Sequence, residues 1–186
     1  MNLSRRHAAV AAVAFAVASM IAPLAAHAEP GSALAAKARR ALTHLYATEP
    51  KSRLFAKNAK AVLVFPTILK GGLVFGAQTG NGVLFEHGKV AGYYNISAAS
   101  FGLQAGGQTF SEAMFFMSPG ALEYIHKSDG WSLGTGPSIV VVDKGESRDA
   151  NTETLSHDIY AFSYREKGLM AGIDVKGSKI TRYHPE

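Results

Sequence analysis

The sequence predicts an α+β fold in which N-terminal helices pack on a strongly curved antiparallel sheet or partial β-barrel. Three observations carry that class. Helical periodicity comes first and short strand-like apolar runs then dominate, joined by links of hairpin length. The strand count is high for 158 residues after position 28, so the sheet has to curl to hide its edges. The 19 glycines supply the tight turns and bulges that such curvature needs.

In chain order, Ser32 reads as the N-cap of a helix from Ala33 to about Tyr46. Leu34, Ala38, Ala41, Leu42 and Leu45 share one face, while Lys37, Arg40 and His44 share the other. Pro50 opens a second helix to about Lys60, with Leu54 and Phe55 inward and Lys57 and Lys60 outward. A buried strand follows from Ala61 to Phe65 and is expected to stop at Pro66. Further strands are expected at Leu73 to Ala77, Val83 to Glu86, Val90 to Ile96, Phe101 to Ala105 and Thr109 to Phe116. Asn81-Gly82 is read as a hairpin turn, because both residues accept left-handed backbone geometry. Ser118-Pro119 caps and starts a short helix through about Lys127. The last strands are Ile139 to Val142, Ile159 to Arg165, Leu169 to Val175 and Lys179 to Tyr183, with a long polar loop from Asp143 to His157. Phe101, Phe110, Phe115, Phe116, Trp131, Tyr160 and Phe162 supply core volume.

The first 28 residues read as an export signal rather than as fold. Arg5-Arg6-His7 form a positive n-region, Ala8 to Ile21 an apolar stretch, and Ala26-His27-Ala28 a cleavage site. The expectation is a cleaved signal, residues 29–186 as one domain, and a periplasmic or secreted protein. Ser4-Arg5-Arg6 leaves the choice between Sec and twin-arginine export open. With no cysteine in the chain, disulfides, thiolate sites and a lipobox are excluded.

Enzyme signatures are missing. There is no Gly-x-Ser-x-Gly elbow, Walker loop, His-Glu-x-x-His or dinucleotide fingerprint, and no cofactor is expected. His44, His87, His126, His157 and His184 show no metal-ligand spacing, and Asp143, Glu146, Asp149 and Glu153 lack the order of a calcium loop. The neighbours His126 and Asp129, and His157 and Asp158, read as surface polar residues rather than as catalytic pairs.

Charge is the one strong asymmetry. Lys37, Arg39, Arg40, Lys51, Arg53, Lys57, Lys60 and Lys70 face a single acid, Glu49, within that stretch, whereas from Gly71 onward acids outnumber bases. A helix with lysines and arginines on one face and leucines on the other can rest on an anionic bilayer. Each such charge near the surface contributes on the order of 1 kcal/mol. The competing reading is a solvated helix face packed by its leucines. Nucleic acid is disfavoured, since the segment lacks interleaved exposed aromatics for base stacking and the export signal argues against it.

The glycine pattern adds a family. Phe65-Pro66, Lys70-Gly71-Gly72, Gly76, Gly80-x-Gly82 and Ser100-x-Gly102-x-Gln104-x-Gly106 stand in sequence. Leu133-Gly134-x-x-Gly136-Pro137 and Ser163-Tyr164-x-x-Lys167-Gly168-Leu169-x-Ala171-Gly172 follow. Together they resemble the SYLF domain, a lipid-binding family. The resemblance implies a non-catalytic domain that binds phospholipid, with lipid contacts in a basic N-terminal part that Lys37, Arg39 and Arg40 match. It also implies actin binding in eukaryotic members, for which a bacterial envelope offers no target. For an exported protein the implied ligands are anionic phospholipids. Two alternatives from the residues themselves remain: a carrier of an apolar or lipid ligand inside the curved sheet, and an interaction module of the envelope. The oligomeric state is open.

Overall fold

A computed structural model describes residues 29–72, 75–101, 106–128, 130–142, 155–168 and 177–186. The expected export signal, the strand at Leu169 to Val175 and most of the polar loop after Asp143 lie outside them. Three helices, α1 (Gly31–Thr48), α2 (Ser52–Asn58) and α3 (Pro119–Lys127), accompany eight strands. These are β1 (Ala61–Gly72), β2 (Phe75–Glu86), β3 (Lys89–Phe101), β4 (Gly106–Phe116), β5 (Trp131–Ser132), β6 (Ile139–Val141), β7 (Ile159–Gly168) and β8 (Lys179–Arg182). They form one sheet in the order β5-β8-β3-β2-β1-β4-β7-β6, antiparallel except for the β6–β7 pair. The sheet curls into a half-barrel with the N-terminal helix against it, as the sequence predicts.

Each face of the sheet buries its own core. Leu63, Phe65, Ile68, Leu84, Ile96, Phe110, Met114 and Phe116 form one, closed by Ala121 and Ile125 of α3 and by Trp131. Val64, Val83, Phe85, Ala113, Phe115 and Phe162 form the other, beneath Leu34, Ala38, Ala41 and Leu45 of α1 and Phe55 of α2. The period of two along each strand divides the chain between the two cores.

Four local expectations are corrected. The N-cap of α1 is Pro30, and no side chain caps the helix; Ser32 lies within it. Pro66 does not stop β1. The strand runs on to Gly72 with a register shift between Phe65 and Ile68, where the missing N–H is harmless, and the Pro66 carbonyl accepts from Ser111 Oγ at 2.7 Å. Asn81-Gly82 is no turn. Both residues sit mid-strand in β2 opposite Asn95 and Tyr94, and a Cβ on Gly82 would lie 2.5 Å from the Phe65 ring, so packing rather than turning selects that glycine. The β2–β3 turn is His87-Gly88, with positive φ at both residues and Glu86 paired to Lys89. Finally, Phe101 ends β3 rather than opening a strand.

Ser118 behaves as its sequence predicts. Its Oγ accepts from Ala121 N at 3.2 Å, with Pro119 in the first turn of α3.

Candidate functional site

The helices hold the basic segment in place through a few buried contacts. Phe55 of α2 lies 4.9 Å from the Tyr160 ring and 5.0 Å from that of Phe162, while Ser52 Oγ donates to the Glu49 carbonyl at 2.6 Å. These contacts fix α2 against the sheet and turn Lys51, Arg53 and Lys57 outward. On α1 the buried stripe Leu34, Ala38, Ala41 and Leu45 leaves Lys37, Arg39 and Arg40 exposed.

These cations differ in their surroundings. Lys37 Nζ pairs with Glu29 at 2.7 Å. Arg53 Nε donates to the Tyr46 carbonyl at 3.2 Å, and its guanidinium lies 5.8 Å from the Tyr46 ring centre. Arg39 stacks over the Phe85 ring at 4.7 Å and donates from Nη2 to the Gly88 carbonyl at 2.9 Å. Arg40, Lys51, Lys57 and Lys60 are exposed and make no ion pair among the described residues. Lys70 stands apart from all of these. Ten residues along β1 from Lys60, it is roughly 30 Å away, half-buried and in register with Gln78 and Gln108.

Arg39 and Lys60, distant in sequence, meet at one cleft of about 220 Å³ between α1, α2 and the start of β1. Leu42, Val62 and Phe85 line it with apolar surface, and His87 from the β2–β3 turn lines it as well. Among the described residues, no acidic side chain lines the cleft. Sequence reading placed Arg39 and Lys60 in the basic set but missed His87, whose signal was a His-Gly pair at the end of an apolar strand. A second, more open groove of about 420 Å³ lies at the glycine-rich end of the sheet, between Leu69, Ala77, Thr109 and Lys167.

Asp158 Oδ1 accepts from Ser118 Oγ at 2.6 Å, and Oδ2 accepts from Ser138 N and Oγ at 2.9 and 2.8 Å. Those bonds hold its carboxyl below the usual range. His126 Nε2 meets Glu86 at 2.8 Å. Glu112 is fully buried on β4 opposite Phe65 and Ser163, without a hydrogen-bond partner among the described residues, and burial pushes its pKa up to about 8.

Comparison with known proteins converges on one family. Residues 97–186 match the Ysc84 family, described as Las17-binding protein actin regulator. Two proteins of Saccharomyces cerevisiae, LAS seventeen-binding protein 3 and Protein YSC84, are each 31% identical over 131 residues. Those alignments cover 67% of this chain and 28% of each yeast protein, so the chain spans little more than a quarter of its relatives. Over residues 97–186, from the second half of β3 onward, the chain belongs to the Ysc84/SYLF domain family.

Proposed function

We propose that this protein is a non-enzymatic phospholipid-binding domain that docks on anionic membranes through the basic surface of α1 and α2. The family is a non-catalytic binding domain linked to lipid and actin binding. The observation that carries the reading is the set Arg40, Lys51, Lys57 and Lys60, exposed on neighbouring elements without acidic partners among the described residues. Four such charges at an anionic surface contribute on the order of 4 kcal/mol, which is weak binding that salt screens. Residues 1–28 supply an export signal in this proposal, so the membrane is met from the periplasm or outside the cell, and its lipids are anionic phospholipids.

The alternative, an apolar ligand held inside the curved sheet, meets a face already filled by Phe65, Phe110, Phe116 and Trp131. Those side chains favour the surface reading.

Liposome co-sedimentation across a salt series tests it. Arg40→Glu, Lys51→Glu and Lys57→Glu combined are expected to abolish association with anionic vesicles while the melting temperature stays within a few degrees of wild type. The same reversal at Lys144, Lys176 and Lys179 keeps the net-charge change and is expected to retain most of the binding. Equal loss in both triples makes total charge, not the helical surface, responsible.

A further inference from the structure

The cleft between α1, α2 and the β2–β3 turn has features that a merely basic surface lacks. Arg39 reaches it already ordered, stacked on Phe85 at 4.7 Å and bonded to the Gly88 carbonyl at 2.9 Å. That carbonyl bond uses one of five guanidinium donors and leaves others for a ligand. Lys60 lines the same cleft. Its backbone N–H donates to the Phe116 carbonyl at 2.7 Å, which anchors its Cα at the head of β1, while its ammonium has no ion pair among the described residues. His87 lines the cleft from a two-residue turn. The walls include Leu42, Val62 and Phe85, and among the described residues no carboxylate lines the cleft to compete for the cations.

We propose that this cleft is a selective site for a phosphate monoester, the headgroup of a lipid of the phosphatidic acid class. A monoester presents more negative charge and more unsubstituted oxygens than a phosphodiester. Two cations, the ordered Arg39 guanidinium with its planar fork of donors and the Lys60 ammonium, reward both properties. Apolar walls strengthen the charge-assisted bonds by lowering the local dielectric. A volume of about 220 Å³ exceeds a bare phosphate, which leaves room for part of a glycerol backbone. The assignment deepens the membrane reading and rests on it for the source of the phosphate.

The test compares vesicles containing phosphatidic acid with vesicles containing phosphatidylglycerol, matched for zeta potential, with glycerol 3-phosphate as a soluble competitor. Wild type is expected to bind the phosphatidic acid vesicles about fivefold more tightly. Lys60→Ala should lower that binding about tenfold and erase the preference, since one charge-assisted contact is lost. Arg39→Lys keeps the charge but loses the fork, so it should lower phosphatidic acid binding about threefold and leave phosphatidylglycerol binding nearly unchanged. Lys51→Ala, outside the cleft, should weaken both lipids alike. Salt-sensitive binding without lipid preference, or equal effects of Lys60→Ala and Lys51→Ala on both lipids, overturns the cleft and leaves the membrane reading standing. Absence of all vesicle binding overturns the membrane reading and the lipid source together. A Lys60-dependent affinity for glycerol 3-phosphate in that case supports the cleft as a phosphate monoester site.

Discussion

The Trp131 indole lies 6.3 Å from the Phe116 ring, although their strands stand first and sixth in the order of the sheet. In a flat sheet five strand spacings separate them by roughly 24 Å. The contact is therefore a direct measure of curvature, and Trp131 is its fastening: fully buried, with Nε1 donating to the Thr135 carbonyl at 2.8 Å.

Trp131→Ala is expected to cost about 3–5 kcal/mol, since it empties a large volume at the closure of the half-barrel. Trp131→Phe keeps most of the volume and loses the hydrogen bond, so about 1–3 kcal/mol is expected. Urea denaturation measures both. Because Trp131 is the chain's one tryptophan, its fluorescence in wild type should shift to the red in a single transition with loss of secondary structure. An emission change well before that loss would show that the closure opens independently of the sheet.

A Cβ on Gly82 would lie 2.5 Å from Phe65 Cδ1 and 2.9 Å from the Val64 carbonyl, whereas one on Gly88 would meet nothing within 4 Å. The two glycines are needed for different reasons: close approach at Gly82, and a φ of 76° at Gly88. Gly82→Ala is expected to cost about 1–3 kcal/mol through overpacking, and Gly88→Ala about 1–2 kcal/mol through backbone strain. Phe65→Leu should couple with the first and not with the second. A double-mutant cycle with no coupling between positions 65 and 82 contradicts the packing account.

That pair also explains where the sequence was readable. Apolar period, the Ser118-Pro119 cap and the order of helices before strands are local signals, and they delivered the fold class, all three helices and most strands. Asn81-Gly82 carries the same local signal as a hairpin, yet its glycine answers to Phe65 on the neighbouring strand, a contact that no local rule contains. Pro66 likewise ends a strand by propensity but sits harmlessly at a register shift. At the site, charge density marked Arg39 and Lys60, while their meeting with His87 depends on how α1 and the β2–β3 turn flank β1.

Asp158 joins three elements through Ser118 and Ser138, and its depressed pKa states how much that network favours the carboxylate. A depressed folded-state pKa gives stability that is present above the unfolded value, near 3.8, and lost as pH falls through the folded one. Asp158→Asn is expected to cost about 1 kcal/mol at pH 7, modest because water reaches the site. The gap from wild type should close as pH falls below about 4. A gap that stays constant in acid would mean that shape, not charge, holds α3.

Glu112 has the opposite sign. Its folded-state carboxyl is raised from 4.5 to about 8 by burial, beside Phe65, Ser163 and the Tyr164 phenol, which is itself pushed up by burial. Between those two values the unfolded chain releases the proton and the folded chain keeps it, so the unfolded state binds fewer protons and stability falls as pH rises. Above about pH 8 the slope ends, because both states are ionised. At about 1.4 kcal/mol per unit, the loss across that window is on the order of a few kcal/mol. Glu112→Gln keeps the shape and removes the titration. Its stability should match wild type near pH 4.5 and exceed it by a few kcal/mol at pH 8, read from urea midpoints at each pH. Parallel curves for the two proteins across that range would show that Glu112 does not hold its proton in the folded sheet.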